Sequence, residues 1–469
     1  MFETWTNRNY KVKIYFTDSL VYEASSDTSN QRVKSLSWNE TEGSTTGNIM
    51  GIKESNKATI TLFDIYDKLS PSNAASPYYG HIKTGKKVEI YKEMSDGSYE
   101  KDRDYYITSI SGSYAEGIAG EITFGVSDRY FVIANETIDK IEAYVNIPIS
   151  QLIVSVLTSV GVDKEDIIFD SRLDANLSYG VTYGQTVKEF INGCCQILFA
   201  RCVIDKKNRF LFIPAFDVYE NSRTWDVTEE IIDSGLCDIS KLKNSVNTSM
   251  NYGKVRFYYE QAGDEVGTQL SKKDITLVAG YNSIVINFDM RALQIDEIRF
   301  KKSEAGDISN IQYTAYQNAI EITCISDKSQ RVNLIINGNI ISTNEQYVEK
   351  IIDEDSTYSN SPFSFHSNIL INYENEDTVQ NKLLDLCDYI NHMKHTIEIS
   401  LKISDDVSIG DILNLDINND TYRGIYKIIS VSGKTGDPLK TLRCVLQKVI
   451  IKNVWDDSEY WDDDNIWED

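Results

Sequence analysis

The stretch at 56–91 constrains this chain most, because it contains two strand patterns joined by an ordered excursion. Ala58, Ile60 and Leu62 alternate with polar residues, and this period of two predicts a strand with two different faces. A second alternating run follows at 88–91. Between the two runs lie two prolines, several Ser and Asn residues and a Tyr-Tyr-Gly turn. These residues predict an ordered loop in place of a hairpin.

This ordered set resembles the first domain of the baseplate hub proteins at the distal end of phage tails. The resemblance is carried by an Ala-Thr-Ile-Thr-Leu strand, a Leu-Ser-Pro turn, a Ser-Pro-Tyr-Tyr-Gly turn and a Lys-x-Gly-x-x-Val approach to the next strand. The residues of this signature loop are Pro71, Pro77, Tyr78, Tyr79, Gly80 and Gly85. The resemblance implies a domain that folds like a tail-tube subunit and docks on the tube or on a distal tail ring.

The resemblance returns near the other end of the chain. A helical pattern at 375–394 leads into a strand pattern, an Ile-Gly-Asp turn at Gly410 and Asp411, and further strand patterns. A glycine at such a turn lets the chain bend while the next strand keeps its register. This order resembles the second tube-like domain of hub proteins.

The sequence therefore predicts a mainly β fold with α+β modules, including two tail-tube-like β-barrel domains, a helix-containing second domain and a β-rich insertion. An even spacing of short strands and turns favours closed or nearly closed antiparallel barrels. The predicted segments are a first barrel at 1–142, an α+β module of two helices and a hairpin at 143–224, a second barrel at 225–262 and 350–452 with a helix at 375–394, an inserted β-rich domain at 263–349, and an acidic tail at 453–469.

The α+β module carries two helical patterns. The first runs over 147–161 with Ser150 as the expected N-cap and a glycine stop. The second runs over 185–200 and contains the adjacent Cys194 and Cys195. Because neighbouring positions on a helix point in different directions, we expect one of these two thiols to be partly exposed.

One strong turn signal lies in the predicted insertion. Asn337 and Gly338 separate two apolar runs, and Asn-Gly supplies the positive φ values of a type I′ turn. The sequence therefore predicts a hairpin at this dipeptide.

The charge balance argues against a nucleic-acid reader. The chain has 47 basic and 71 acidic residues, for a formal net charge of -24, whereas affinity for phosphates requires a basic surface. An acidic wall is compatible with DNA passing without binding, because like charges repel over a Debye length of about 10 Å. Solubility alone is the other interpretation.

The polar N-terminus and the absence of a bilayer-length apolar run predict a chain that is made in a cytosol and released by another route. The seven cysteines are an odd number and do not form a disulfide framework, so we expect most of them to be small buried residues.

The C-terminal tail repeats tryptophan at every sixth position. Trp455, Trp461 and Trp467 would share one side of an extended strand, with Tyr460 beside the second indole. Dense carboxylates keep such a segment out of a core of its own. We expect the aromatic residues to bind a partner or a neighbouring subunit; a frayed, solvated end is the alternative.

Patterns for catalysis or metal binding are weak. The acidic run that begins at Asp416 has Thr421 where a calcium loop requires glycine. Cys387, His392 and His395 lie on or just after one helical pattern, but no second pair of ligands is near in sequence. The sequence thus predicts no enzyme, no catalytic residues, no cofactor and no metal site.

The leading functional hypothesis is a structural virion protein of the tail tip or baseplate. The resemblance implies a homotrimeric hub whose two barrels per chain adapt a six-fold tail tube to a three-fold tip and leave a channel for DNA. Its expected partners are the tail tube or distal tail protein on one side, and a central spike, tape-measure or cell-wall-degrading tail protein on the other. It would be assembled in the host cytoplasm, with no membrane partner.

Two alternatives stay open for the function. The chain could be the hub of a phage-derived contractile bacteriocin, which has the same architecture. It could also be a carbohydrate-binding adhesin, with the tyrosines of 347–373 lining a sugar groove. An enzyme is a weaker third alternative.

Overall fold

The computed structural model shows a chain built mainly of strands, which confirms the predicted mainly β fold. The residues that the structure describes are 9–27, 32–41, 51–52, 56–64, 68–94, 96–113, 120–138, 147–173, 176–177, 184–215, 222–234, 236–246, 252–290, 292–302, 306–316, 318–352, 362–366, 380–381, 383–387, 390, 395–402, 407–416, 423–435 and 440–446.

The N-terminal strands form because apolar and polar residues alternate along them. They are β1 (Tyr10–Tyr15), β2 (Val21–Ser25), β3 (Val33–Thr41), β4 (Gly51–Ile52), β5 (Lys57–Asp64), β6 (Lys87–Glu93), β7 (Tyr99–Ser113) and β8 (Gly120–Ser127). Except for β4, which pairs with a later strand, their buried sides share one core that includes Ile60, Val88 and Phe124. A short helix, α1 (Tyr130–Ile133), follows the turn after β8.

The next segment contains two helices and a hairpin, as the sequence predicts. Its elements are β9 (Ile147–Pro148), α2 (Ile149–Ser159), a 3-10 turn (Lys164–Asp166), β10 (Ile167–Phe169), β11 (Asn176–Leu177), α3 (Val187–Leu198), β12 (Ala200–Ile204) and β13 (Phe210–Pro214). The expected N-cap of α2 is wrong. The cap position is the extended Pro148, so Ser150 lies inside the first turn.

The expected exposure of one adjacent cysteine is also wrong. Cys194 and Cys195 are both fully buried in the same core. The reason is that α3 contacts α2 as well as β4 and β12, so that the helix is covered on more than one side. Burial raises the pKa of both thiols.

A large β-rich segment follows the first strands of the C-terminal region. The elements up to its end are β14 (Thr224–Thr228), α4 (Glu229–Asp233), β15 (Cys237–Val246), β16 (Lys254–Leu277), β17 (Gly280–Asn287), β18 (Ala292–Lys302), β19 (Ile308–Ala315), β20 (Ala319–Ser326), β21 (Gln330–Ile351) and β22 (Pro362–His366). The strands from β16 to β22 form a four-stranded sheet in the order β18-β21-β16-β22 and a three-stranded sheet in the order β17-β20-β19.

The predicted hairpin at Asn337 and Gly338 is wrong, because both residues lie within the continuous strand β21. This strand pairs with β16 on one edge and with β18 on the other, and the two ladders outweigh the local turn preference. The glycine allows the backbone of β18 to approach β21 closely, because a Cβ atom on Gly338 would lie 2.1 Å from the carbonyl oxygen of Gln294.

The last part of the chain returns to the main sheet. Within the predicted helix at 375–394, helical backbone is present at 380–381, 383–387 and 390, and Leu383, Leu386 and Ile390 are buried. The remaining strands are β23 (His395–Leu401), β24 (Ile412–Asp416), β25 (Gly424–Lys434) and β26 (Lys440–Leu446).

The main sheet has thirteen strands and contains strands from both the N-terminal and the C-terminal parts of the described chain. Its order is β15-β23-β26-β25-β3-β5-β8-β7-β6-β1-β2, with β24 pairing to β25 and β14 pairing to β24. Over the described residues no sheet closes on itself, so the two predicted barrels are not present as separate closed sheets. The pairing of β25 with β3 joins them into one sheet instead.

Candidate assembly surface

The signature loop begins at a buried carboxylate. The Asp64 side chain accepts hydrogen bonds from the Leu69 amide at 3.0 and 3.1 Å, and the Leu69 side chain is fully buried. Farther along, the Ser76 hydroxyl donates to the carbonyl oxygen of Lys68 and accepts from the Tyr78 amide at 3.0 Å. The excursion is therefore an ordered loop.

The signature residues separate into one half-buried residue that packs against the core, Tyr78, and a group at the surface. The Tyr78 ring contacts the rings of Phe16 and Tyr22, with centroids 5.0 and 5.6 Å apart, so this tyrosine supports the fold. Tyr79 is 52% exposed and is available to a partner. The other exposed signature residues are Pro71, Pro77, Gly80 and Gly85.

Gly85 and Gly410 occupy matching places in the two ends of the sheet. Both have positive φ, 78° and 89°, which glycine adopts at little cost. The Gly85 amide donates to the carbonyl oxygen of Ile107 at 2.7 Å, and the Gly410 amide donates to that of Ile428 at 2.8 Å. In both places the next residue accepts a backbone hydrogen bond from the same isoleucine, at 2.9 and 2.8 Å. The two turns are therefore equivalent.

Asp411 fixes the C-terminal turn. Its carboxylate accepts hydrogen bonds from the Trp225 indole at 3.0 Å, from the Ser408 amide at 2.9 Å and from the Arg223 amide at 3.2 Å. Burial raises the pKa of this carboxyl group. Because Trp225 lies on β14 and Asp411 precedes β24, the contact fastens these two paired strands together.

The equivalence extends to five strands on each side. We call β3, β5, β6, β7 and β8 the N-terminal half-sheet, and β15, β23, β24, β25 and β26 the C-terminal half-sheet. In chain order, each strand of the first set has a counterpart in the second, and the pairs β3·β5, β5·β8, β8·β7 and β7·β6 match β15·β23, β23·β26, β26·β25 and β25·β24. The chain thus contains the same strand arrangement twice.

Fine details of the ladders repeat as well. β7 has a register shift between Ile107 and Ser109 against β8, and β25 has one between Ile428 and Ser430 against β26. Hydroxyl pairs also recur at equivalent positions: Thr61 lies 3.2 Å from Thr123, and Ser400 lies 3.4 Å from Thr441. A repeated bulge and a repeated side-chain pair support equivalence beyond strand order.

The two half-sheets join edge to edge through β3 and β25. The antiparallel partners are Ser430 with Thr41, Val431 with Glu40, Ser432 with Asn39, Gly433 with Trp38, and Lys434 with Ser37. This contact uses the part of β25 beyond its pairing with β24, which ends at Lys427. Gly433 lies against the indole, since a Cβ atom there would be 2.4 Å from Cζ2 of Trp38.

Buried charges stabilise the N-terminal side of this junction. The Arg103 guanidinium donates to the Glu40 carboxylate at 2.7 and 3.0 Å, also bonds Asp102, and lies 4.6 Å from the centre of the Trp38 ring. All of these side chains are buried. The two carboxylates raise the pKa of Arg103, so it stays charged and paired next to the junction.

Two matching edges are open within the described residues. β15, the counterpart of β3, pairs only with β23. On β7, the edge that faces β6 has ladder partners only as far as Tyr106, and Ser109, Ser111 and Gly112 are exposed. These two edges correspond to the two edges that meet in the junction.

The remaining predicted residues add little to this surface. Trp455, Tyr460, Trp461 and Trp467 lie outside the described residues. Within the described ranges no cluster of three or more His, Cys, Asp or Glu side chains is arranged to hold a metal ion. Among the described helices, none is long and apolar enough to cross a bilayer.

Comparison with solved structures identifies the fold. A tail protein from Neisseria meningitidis MC58 matches with a TM-score of 0.51 and 9% identity, covering 93% of this chain and 96% of that one. This chain has the fold of a tail protein. A 43 kDa tail protein of prophage MuSo2 from Shewanella oneidensis matches with a TM-score of 0.49 and 10% identity, over 94% and 98% of the two chains.

The tail-protein fold predicted from the signature loop is thus confirmed over nearly the whole chain. No family model and no curated protein sequence matches this chain.

Sequence reasoning missed the junction, although a signal for it exists. The segment at 105–112 reads Tyr-Tyr-Ile-Thr-Ser-Ile-Ser-Gly, and the segment at 426–433 reads Tyr-Lys-Ile-Ile-Ser-Val-Ser-Gly. Five of these eight positions are identical and one exchanges Ile for Val. An internal comparison of the sequence would have aligned β7 with β25.

Proposed function

We propose that this chain is a structural, non-enzymatic subunit of a phage tail hub that assembles as a homotrimer. The observation that supports this proposal is the internal repeat, in which one chain supplies two half-sheets with the same pairing order. Three such chains present six similar units around one axis. A ring of this kind can contact a six-fold tail tube on one side and a three-fold tip on the other.

The two faces of the half-sheets indicate which side would line a channel. One face carries the buried core, whereas the other carries Thr59, Thr61, Thr123, Ser109 and Ser111, which are exposed or half-buried. In a ring of such sheets, the face that carries the buried core lies on the outside. The outer circumference is larger and leaves room for the side chains packed on that face. The hydroxyl-bearing face, which also carries Lys57 and the ion pair of Lys34 with Glu121, would then surround the channel. Its hydroxyl groups carry no charge and suit DNA that passes without specific binding.

The same arrangement serves a tail hub and the hub of a contractile bacteriocin, so both stay within the proposal. The expected partners are the tail tube or distal tail protein on one side and a central spike, tape-measure or cell-wall-degrading protein on the other. The exposed part of the signature loop, with Tyr79 at its surface, is a candidate contact for the tube side.

Light scattering on the purified full-length chain tests the proposal. We expect a mass three times that of the 53.4 kDa chain, and antibody labelling of intact particles should mark the tail tip. A single-chain mass at every concentration, together with the absence of the protein from particles, would contradict a hub. A single-chain protein that binds glycans would support the adhesin instead.

A further inference from the structure

The pairing of β3 with β25 inside the chain shows how the two edges that are open within the described residues can pair with each other. β15 is the counterpart of β3, and the exposed end of β7 is the counterpart of the end of β25 that pairs with β3. An unpaired strand edge presents backbone donors and acceptors that another strand can use. What β3 and β25 do inside one chain, β15 and β7 can therefore do between chains.

The register of such a contact follows from the ladders. Asn39 pairs with Lys57 on β5, and Ser245 holds the corresponding place on β15, opposite Thr396 of β23. On the other side, the repeated bulge aligns Ser111 with Ser432. Since Asn39 lies opposite Ser432 in the junction, Ser245 of one copy is placed opposite Ser111 of another.

We propose that β15 of one copy adds in antiparallel orientation to residues 109–113 of β7 in a second copy, with Ser245 opposite Ser111, Asn244 opposite Gly112 and Val246 opposite Ile110. This inference rests on the proposed trimeric hub and names the surface that would hold the trimer together. Each copy then uses both edges, head to tail, and the chain of contacts closes into a ring.

The proposed contact pairs the strand positions that correspond to those of the internal junction, but it has fewer stabilising side-chain contacts. The internal junction places Gly433 against Trp38, with Arg103 on the indole. The position that corresponds to Trp38 is Asn244, so the contact between copies lacks the aromatic anchor. Such a junction is weaker than the internal one, which suits folded subunits that associate after synthesis.

Disulfide trapping tests the register directly. Directly opposed residues of an antiparallel pair have Cα atoms about 4.5 to 5.5 Å apart, which fits a disulfide. The variant Ser111→Cys with Ser245→Cys should therefore form covalent dimers and trimers under mild oxidation. The seven native cysteines are all buried, so they should contribute little background.

The internal junction provides a matched control. Asn39→Cys with Ser432→Cys occupies the equivalent pair and should cross-link within the chain, leaving a single-chain mass on a denaturing gel. Ser109→Cys with Ser245→Cys tests a register shifted by two residues, and its yield of cross-linked chains should be at least several-fold lower.

The outcomes separate this inference from the proposed function. A ladder of cross-linked chains from the Ser111 and Ser245 pair alone supports the β15 to β7 contact. Single chains only, or equal ladders from both registers, would overturn it. If light scattering of the same variants, reduced, still shows three chains, the hub proposal stands while this interface fails; a single-chain mass removes both.

Discussion

The two half-sheets share the order in which their strands pair but differ in the segments that connect those strands. The N-terminal half-sheet carries the ordered signature loop between β5 and β6, whereas only a short segment, 402–411, separates β23 from β24. Conversely, the strands from β16 to β22 lie between β15 and β23, where the N-terminal half-sheet has only 42–56 between β3 and β5. Backbone ladders and bulges are thus the repeated feature, and the connections between strands are where the two half-sheets differ.

The halves also differ in how their shared positions are stabilised. Arg103 on β7 is buried between carboxylates, and its counterpart on β25 is Gly424, which has no side chain. The N-terminal half-sheet therefore depends on a buried guanidinium near the junction, whereas the C-terminal half-sheet buries its charged side chains at other positions, among them Lys427 and Lys440.

The largest expected effect comes from removing this ionic group. Arg103→Met leaves Glu40 and Asp102 buried without their guanidinium, and breaking such a pair costs about 3 to 5 kcal/mol. Denaturant unfolding measures this loss. The matched control is Arg299→Met in the inserted segment, where the pair with Glu297 is exposed and removal should cost less than about 1 kcal/mol. Equal losses would show that the buried network stabilises the protein no more than an exposed ion pair does.

A pH effect is expected from a buried carboxyl group next to the N-terminal half-sheet. Asp128 directly follows β8, and burial raises its pKa to about 7, while its carboxylate accepts from the Asn56 and Tyr130 amides. Because the folded protein holds this proton more tightly than the unfolded chain, the contribution to stability is full below about pH 4 and falls as the pH rises towards 7.

Asp128→Asn should remove this fall, worth roughly 2 to 4 kcal/mol across that window. Unfolding free energies measured at pH 4, 5.5 and 7 test the prediction. The control is Asp96→Asn, because Asp96 is exposed in a turn. A pH dependence that is unchanged in the Asp128 variant would contradict the assignment.

A change at the internal junction should have an intermediate effect. Gly433→Ala forces a methyl group into the Trp38 indole, and overpacking of this kind costs about 1 to 3 kcal/mol. Gly267→Ala is the control within a strand, because its added Cβ would meet only a side-chain oxygen at 3.2 Å. Calorimetry should show a lower melting temperature for the first variant, and equal shifts would argue against a tight junction.

The smallest predicted effect tests the equivalence itself. Gly85→Ala and Gly410→Ala each place a side chain at positive φ in a turn with open space around it, which costs roughly 1 kcal/mol. The two losses of unfolding free energy should agree within about 0.5 kcal/mol if the turns are equivalent. A large loss at one position alone would show that the two turns are not equivalent.

Much of the strand content was predictable, because alternation along β5 and β6 is a local property. The signature loop and the Gly410 turn could also be predicted from the sequence, since both depend on residues that are close in sequence. The failures have tertiary causes. Gly338 lies in a strand because ladders on both edges outweigh its turn preference, and Cys194 and Cys195 are both buried because α3 has neighbours on more than one side.

The junction was the hardest part to predict from single patterns. β3 and β25 are nearly four hundred residues apart, and no residue pattern within either strand indicates that it pairs with the other. Only comparison of the chain with itself, through the segments at 105–112 and 426–433, reveals that their surroundings match.

Electron cryomicroscopy of the assembled protein would show directly how the half-sheets are arranged. We expect a three-fold ring of six half-sheets around one pore, with β15 of each copy added to β7 of the next. A particle in which the C-terminal half-sheets face away from the pore, or in which both edges stay exposed to solvent, would contradict it.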